Sequence, residues 1–153
     1  MPVITGGFGI SHIFADFNCD IDKAVAVIVN AKVQKPSACN ALDTLLIHEH
    51  IADELLEKLT AALKPYKVTL VAHQNLKDKL LNLGYEYVAA GTEADFDTEF
   101  LSLKMNIATV DGIASACEHL RKHLMPIVLL QLLIPPAFTL MLQHALLTAV
   151  SSA

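Results

Sequence analysis

Residues 42–63 decide the fold, and they read LDTLLIHEHIADELLEKLTAAL. Positions 42–48 form a compact apolar run with the length of a buried strand. Positions 51–63 have the spacing of an amphipathic helix that stops near Pro65. The leucines on the apolar face of this helix are Leu55, Leu56, Leu59 and Leu63. A buried strand followed by such a helix is the repeating unit of parallel α/β sheets, so this stretch predicts an α/β fold.

Strands and helices continue to alternate on both sides of this unit. Further strands are predicted at residues 10–15, 67–71, 85–89 and 105–110. Further helices are predicted at residues 20–31, 76–83 and 111–123. The alternation favours a mainly parallel sheet with covering helices.

The charge distribution divides the chain into two parts. The 153 residues carry a net charge of −5, are 54% hydrophobic and have a mean hydropathy of +0.46. All 16 acidic and all 11 basic residues lie at or before Lys122. We therefore expect a domain at residues 1–122 and a separate charge-free tail at 123–153. The acidic balance argues against a nucleic-acid partner bound through a basic face.

The tail leaves two interpretations open. Residues 125–142 are apolar enough for a membrane-spanning helix, but Pro126, Pro135 and Pro136 argue against a straight one. A shift of reading frame near codon 123 explains the abrupt change of composition better, so we expect membrane association to be unlikely. The alternative is a non-catalytic remnant domain whose tail binds a membrane or a partner.

The cysteines predict a reducing compartment. Cys19, Cys39 and Cys117 are odd in number and widely spaced, which fits neither a disulfide framework nor a zinc site. Residues 1–7 have neither the basic nor the long apolar region of a signal peptide. Together these features predict a cytoplasmic protein.

Cys39 is the strongest candidate for chemistry on position alone. It follows a predicted loop containing Pro36 and precedes the strand at 42–48, and at such a junction a thiol can be exposed on one side and held rigidly on the other. A small buried residue is the other interpretation, and it is the one that position alone favours. The glycines of residues 6–9 lack the spacing of a phosphate loop and favour a tight turn, and His12 follows them as a candidate site residue.

The other polar clusters suggest ordinary surfaces. We expect His48 and His50 to diverge at a strand end, and His119 and His123 to lie on a solvated helix face; no metal site is predicted. Residues 93–99 predict a solvated acidic loop, in which one carboxylate is suited to bind a ribose hydroxyl.

Three stretches carry a resemblance to a known family. They are PVITGGFGISH at 2–12, VNAKVQKPSACNALDTLL at 29–46 and DTEFLSL at 97–103. They closely resemble the gamma-glutamyl phosphate reductase (glutamate-5-semialdehyde dehydrogenase) family of the aldehyde dehydrogenase superfamily. The resemblance covers roughly residues 2–122, which is well under half of a full member.

The resemblance implies a set of site residues and a reaction. Cys39 matches the catalytic cysteine, Glu99 matches the glutamate that holds the nicotinamide ribose, and Gly6 and Gly7 match a turn near the active site, with His12 and Asn40 beside these motifs. The implied reaction is NADPH-dependent reduction of gamma-glutamyl phosphate to glutamate 5-semialdehyde and phosphate in L-proline biosynthesis, through a thioester on the cysteine. Hydrolytic aldehyde dehydrogenases carry a Glu where this chain has Ile4, so the departure favours phosphate over water as the thioester partner.

The resemblance also implies missing parts. Most NADP contacts precede the matched region in the family, and the oligomerisation strands follow it. We therefore expect an aldehyde-dehydrogenase-like catalytic domain truncated at both ends, with a small-molecule substrate, that is inactive alone.

Overall fold

The computed structural model describes residues 9–123 and the backbone of residues 130–133. The strands are β1 (Ser11–Ala15), β2 (Leu42–His48), β3 (Thr69–Ala72), β4 (Val88–Ala90), β5 (Lys104–Val110) and β6 (Leu130–Leu133). The helices are α1 (Ile21–Val33), α2 (Ala52–Leu63), α3 (Gln74–Asn82) and α4 (Ile113–Lys122). Short 3-10 turns occupy Glu49–Ile51, Lys64–Tyr66 and Glu93–Asp97.

The strands form one six-stranded sheet in the order β4-β3-β5-β2-β1-β6, and all five strand pairs are parallel. Parallel strands need crossover connections, and the helices between them provide these connections. The sequence-based prediction of a mainly parallel sheet with covering helices is therefore confirmed. Strand β2 matches its predicted bounds, because it is fully buried along its length and mostly apolar.

The alternation of side chains along each strand builds two apolar layers. Ile13 and Leu45 belong to a large core shared with α1 and α2, whereas Phe14 and Leu46 pack with Ala116 of α4. Successive side chains point to opposite faces of a sheet, so α4 lies across the sheet from α1 and α2. His12 lies two positions before Phe14 on β1, so its side chain is on the same face of the sheet as Phe14.

Every predicted element except β2 differs from the structure by one to three residues at one end or both, and β4 and α1 show the causes most clearly. The fourth strand begins at Val88 rather than 85. Tyr85 is buried before the strand starts, where its backbone N–H donates to the carbonyl of Leu80 at 3.1 Å and its hydroxyl donates to the carbonyl of Val68 at 2.6 Å. Its N–H is therefore not part of the strand ladder. Helix α1 extends to Val33 and ends before Pro36, which disfavours helical backbone in the residue that precedes it.

The tail contributes backbone to the sheet. Residues 130–133 pair with His12–Ala15 of β1, so this part of the 125–142 segment is a strand and the helix considered there is wrong for these four positions. The rest of that segment lies outside the described residues. Among the helices that the structure describes, none is long and apolar enough to cross a membrane.

Candidate active site

Cys39 lies in a turn immediately before β2. The turn is closed by backbone hydrogen bonds from Ala38 to Lys35 at 3.0 Å and from Ala41 to Ala38 at 2.9 Å. The carbonyl of Cys39 also accepts a hydrogen bond from the Ser11 hydroxyl at 3.4 Å, which connects the turn to the start of β1. The side chain of Cys39 is exposed, so the expected combination of an accessible thiol and a constrained backbone is present. The neighbouring Asn40 is exposed as well.

Asp43 connects the cysteine turn to the segment that holds Glu99. Its Oδ1 accepts from the backbone N–H of Phe100 at 3.1 Å, and its Oδ2 accepts from the backbone N–H of Ser11 at 3.4 Å. Glu99 is half-buried and lies close enough to Asp43 to raise the pKa of that carboxyl, although burial is the larger cause of the rise. The structure therefore brings the Cys39 turn and Glu99 to one edge of the sheet, where the strands begin.

Lys32 is the buried partner of Asp43. Its ammonium lies 4.0 Å from Oδ1 of Asp43 and donates to the carbonyl of Leu42 at 2.7 Å, and neither side chain of the pair is more than 2% exposed. Burial lowers the pKa of Lys32 to about 8, against the opposing attraction of Asp43. The ammonium remains the main form at neutral pH, so a positive charge lies beside Asp43 in the interior.

Sequence reasoning missed this pair, although both residues carry a signal. Lys32 continues the buried stripe of α1 that runs through Ala24 and Ile28 at a spacing of four residues. Asp43 is the one carboxylate within the apolar run of β2. A charge on a buried face is the informative exception in such patterns, because unpaired charges are rarely left in a core.

His12 lies on the opposite face of the sheet, among aromatic rings. It is 1% exposed, its Nδ1 lies 3.1 Å from the carbonyl of Ile10, and its Nε2 has no hydrogen-bond partner among the described residues. Burial lowers the pKa of His12 to about 4, and the nearby His123 adds to this effect. The ring is therefore neutral at pH 7, with Nδ1–H as the donor to Ile10.

The expectation that His119 and His123 are solvated is wrong. His123 is 5% exposed, and the Nε2 of His119 is buried without a partner in the described part of the chain. The two rings lie 4.6 Å apart, and Phe96 covers both at 4.8 and 5.3 Å. The face of α4 that begins with Ala116 and Leu120 continues through these histidines, so packing on Phe96 and His12 buries His123 and leaves His119 half-buried with its Nε2 away from water. Burial lowers the pKa of His119 to about 4.

The acidic loop is occupied by partners within the chain. Asp95 closes a capping box with Thr92, Asp97 accepts from His123 at 3.0 Å, and Glu93 pairs with Lys122 at 2.5 Å. Glu93 and Asp97 remain exposed, as expected of a solvated acidic loop, and at the same time they bind residues at the end of α4. Glu99, which follows the loop, makes no such contact among the described residues and stays the candidate for a ribose.

His48 and His50 converge, which contradicts the expectation that they diverge. The 3-10 turn after β2 folds His50 back, and the rings stack at 5.0 Å with their Nδ1 atoms 3.3 Å apart. In residues 9–123 no three His, Cys, Asp or Glu side chains are grouped in a way that could hold a metal ion. Gly6, Gly7 and Ile4 of the predicted active-site turn lie outside the described residues.

Comparison with known proteins finds one family model and several enzymes that are similar to this chain. The profile of the family described as "Protein of unknown function (DUF1487)" matches residues 12–97. A gamma-glutamyl phosphate reductase of Vibrio atlanticus is 51% identical, and one of Vibrio cholerae is 53% identical, each over 123 residues. The alignment covers 80% of this chain and 29% of either relative, so the chain spans less than a third of their length.

Solved structures give the same picture for the fold. The gamma-glutamyl phosphate reductase of Thermotoga maritima superposes with a TM-score of 0.67 at 38% identity, covering 76% of this chain and 27% of that one. An acetylating aldehyde dehydrogenase of Geobacillus thermoglucosidasius superposes with a TM-score of 0.53 at 22% identity, covering 76% of this chain and 32% of that one. The predicted aldehyde-dehydrogenase-like α/β fold and the resemblance to the reductases are thereby confirmed.

Proposed function

We propose a function on the premise that this chain belongs to the family described as "Protein of unknown function (DUF1487)". The chain carries the cysteine-bearing region of an NADPH-dependent gamma-glutamyl phosphate reductase, an oxidoreductase of L-proline biosynthesis with a small-molecule substrate. The observation that carries the proposal is the exposed Cys39 on a constrained turn, joined through Asp43 to the segment of Glu99. The identity of about half of the aligned residues to named reductases supports it.

Cys39 acts as the nucleophile. Its thiolate attacks the acyl carbon of gamma-glutamyl phosphate, the bond from that carbon to the phosphate oxygen breaks, and inorganic phosphate leaves with its electron pair. The product of this step is a thioester between Cys39 and the glutamyl group. A thiolate suits the step because it is strongly nucleophilic near neutral pH and leaves readily afterwards. The backbone N–H of Cys39 is available as one donor to the developing oxyanion.

Glu99 fits the requirements of a nicotinamide cofactor. A carboxylate without an ion-pair partner accepts hydrogen bonds from ribose hydroxyls, and Glu99 has this character within the described residues. NADPH held there would supply the hydride that reduces the thioester carbonyl. Cys39 then leaves as the thiolate, takes up a proton from solvent and frees glutamate 5-semialdehyde. A reducing cytoplasm suits both a free thiol and this cofactor.

We expect the chain alone to complete the acylation step without turnover. Most of the NADP contacts and the second oxyanion donor are expected outside the region that it shares with the reductases. The first test therefore measures covalent acylation. The full chain is incubated with acetyl phosphate, and peptide mass spectrometry locates the adduct. We expect a hydroxylamine-sensitive thioester at Cys39, with Cys19 and Cys117 of the same chain as internal controls.

Two results would overturn the proposal. One is acylation of Cys39 no greater than that of Cys19 or Cys117. The other is an adduct that persists at the same level in Cys39→Ser. Either result would show that Cys39 is not the nucleophile.

The second measurement is NADPH oxidation with gamma-glutamyl phosphate. Turnover on the order of 10 per second, which is ordinary for an enzyme, would contradict the expectation that the chain is inactive alone.

A further inference from the structure

The buried pair of Lys32 and Asp43 has no assigned role in the chemistry above. Removing two charges from water costs several kcal/mol per ion, and two apolar side chains would fill the same space without that cost. The two side chains are 0% and 2% exposed. A pair of this kind needs further hydrogen bonds to offset its desolvation, and those bonds indicate what it holds in place.

The hydrogen bonds of Asp43 reach segments that are far apart in sequence. Phe100 is 57 positions away and Ser11 is 32 positions away, and both donate their backbone N–H to the same carboxylate. Asp43 is available for these bonds because it lies in a bulge of β2. Ser11 pairs with Leu42 and His12 pairs with Thr44, so Asp43 is the extra residue between the two pairs.

Each segment held in this way leads to a residue of the proposed reaction. The Ser11 hydroxyl donates to the carbonyl of Cys39, and Phe100 directly follows Glu99. Lys32 completes the arrangement from α1, where its ammonium donates to the carbonyl of Leu42 beside Asp43. One buried carboxylate therefore joins the nucleophile's turn, the first residue of β1 and the ribose-binding segment.

We propose that Lys32 and Asp43 are positioning residues that hold the Cys39 turn and the Glu99 segment in one fixed relation. This inference rests on the proposed function, since the relation matters only if Cys39 and Glu99 act on the same reaction. The carboxylate is the part that positions, because its two oxygens accept one N–H each. Lys32 supplies the counter-charge that keeps the carboxylate ionised in the core.

A substitution of Asp43 by Asn separates these roles. The amide keeps one acceptor oxygen and presents an NH₂ group in place of the other, so one of the two backbone donors loses its partner. Lys32 is then left without a counter-charge. Because D43N alone risks unfolding, the second variant is K32M/D43L, in which apolar side chains of similar size replace both charges.

The experiment compares these variants with K58M in the full chain. Lys58 forms an exposed ion pair with Asp22 at 2.8 Å between α2 and α1, so K58M removes a charge pair that also involves α1 without touching the core. Hydrogen exchange is followed at the Phe100 amide and in residues 35–41. The rate of iodoacetamide alkylation at Cys39 is measured in the same samples, relative to Cys19 and Cys117.

We expect K32M/D43L to unfold at nearly the wild-type urea concentration and yet to exchange the Phe100 amide about tenfold faster, as loss of one hydrogen bond predicts. Alkylation of Cys39 rises severalfold in the same variant, because Ser11, whose hydroxyl holds the turn, loses the Asp43 oxygen that accepts its backbone N–H. D43N shows both changes if it folds, and K58M shows neither.

Wild-type exchange and alkylation in K32M/D43L would overturn the inference, because the pair would then be a space-filling part of the core. A change at Phe100 without a change at Cys39 would overturn it as well. Neither readout uses an acyl phosphate, so failure of the acylation test with both readouts moving together would reject the proposed function alone. A normal acylation test with unmoved readouts would reject the positioning role alone.

Discussion

His12 makes the folded chain sensitive to acid, and removal of its ring is the perturbation that shows this. The ring is 1% exposed and its pKa is lowered to about 4 by burial. In the unfolded chain an imidazole titrates near 6.5. Between these values the unfolded chain binds more protons than the folded chain, so the free energy of unfolding rises with pH and is lost as the pH falls from 6.5 towards 4.

The magnitude follows from the difference between the two pKa values. A difference of about 2.5 pH units at 1.36 kcal/mol per unit corresponds to roughly 3 kcal/mol for His12, most of which is lost by pH 4.5. This is a large part of the free energy of unfolding of an ordinary single domain, which is about 5–15 kcal/mol. His119, whose pKa is lowered in the same direction, steepens the loss. The free energy of unfolding is therefore expected to fall between about pH 6.5 and pH 4.5, before most carboxylates are protonated.

The assay is urea unfolding of the full chain at pH 7 and pH 4.5, followed by circular dichroism, for wild type and His12→Asn. Asn places an N–H near the position of Nδ1 and keeps the bond to Ile10, but it does not titrate. The matched control is Phe14→Leu, which alters a buried neighbour on the same face of β1. We expect Phe14→Leu to lower stability equally at both pH values.

The prediction is tested by the change in the free energy of unfolding between pH 7 and pH 4.5, and not by the stability at either pH. His12→Asn is expected to shrink the wild-type loss between pH 7 and pH 4.5 by about 2 kcal/mol. An unchanged loss in His12→Asn would show that the buried ring does not couple folding to protons. If Phe14→Leu reduced the loss of stability between pH 7 and pH 4.5 by the same amount, the effect would come from the packing of β1 instead.

Three further predictions concern local features. Asp20→Ala removes the side chain that caps α1 by accepting from the N–H of Lys23, and urea unfolding is expected to show a loss of about 1 kcal/mol; an unchanged midpoint would contradict this. Gly84→Ala meets no atom within 4 Å but forces a side chain onto φ +74°, so we expect a loss of about 1 kcal/mol from backbone strain, and a chain as stable as wild type would refute it. Tyr85→Phe leaves the buried carbonyl of Val68 without its donor and is expected to cost about 1–3 kcal/mol; thermal melting that coincides with wild type would show that this hydrogen bond contributes nothing.

The elements with strong apolar periodicity were predictable from the sequence. Strand β2 and the apolar face of α2 follow directly from the run at 42–48 and the leucine spacing after it. The start of β4 was not predictable, because Tyr85 has the composition of a strand residue and is held by a hydrogen bond to a distant carbonyl. Local patterns record burial, but they do not record which partner satisfies a polar group.

The candidate site divides in the same way. The place of Cys39 between a proline-containing loop and a buried strand left an exposed thiol and a small buried residue both open, and the structure shows that the side chain is exposed. The solvation of His119 and His123 was predicted wrongly, since a polar residue at helical spacing has the same pattern whether or not an aromatic ring such as Phe96 covers it. Their burial depends on the 3-10 turn at Glu93–Asp97, which no periodicity in α4 reports.

The sequence by itself determined the order of strands and helices, the parallel sheet and the residues that resemble the reductases. These properties depend on periodicity, on chain connectivity and on motifs within one segment. Only the tertiary structure decided that Lys32 and Asp43 form a buried pair and that Asp43 binds Ser11 and Phe100 together. The physical reason is that desolvation and hydrogen bonding act between atoms close in space, whereas the sequence separates these partners by up to 57 positions.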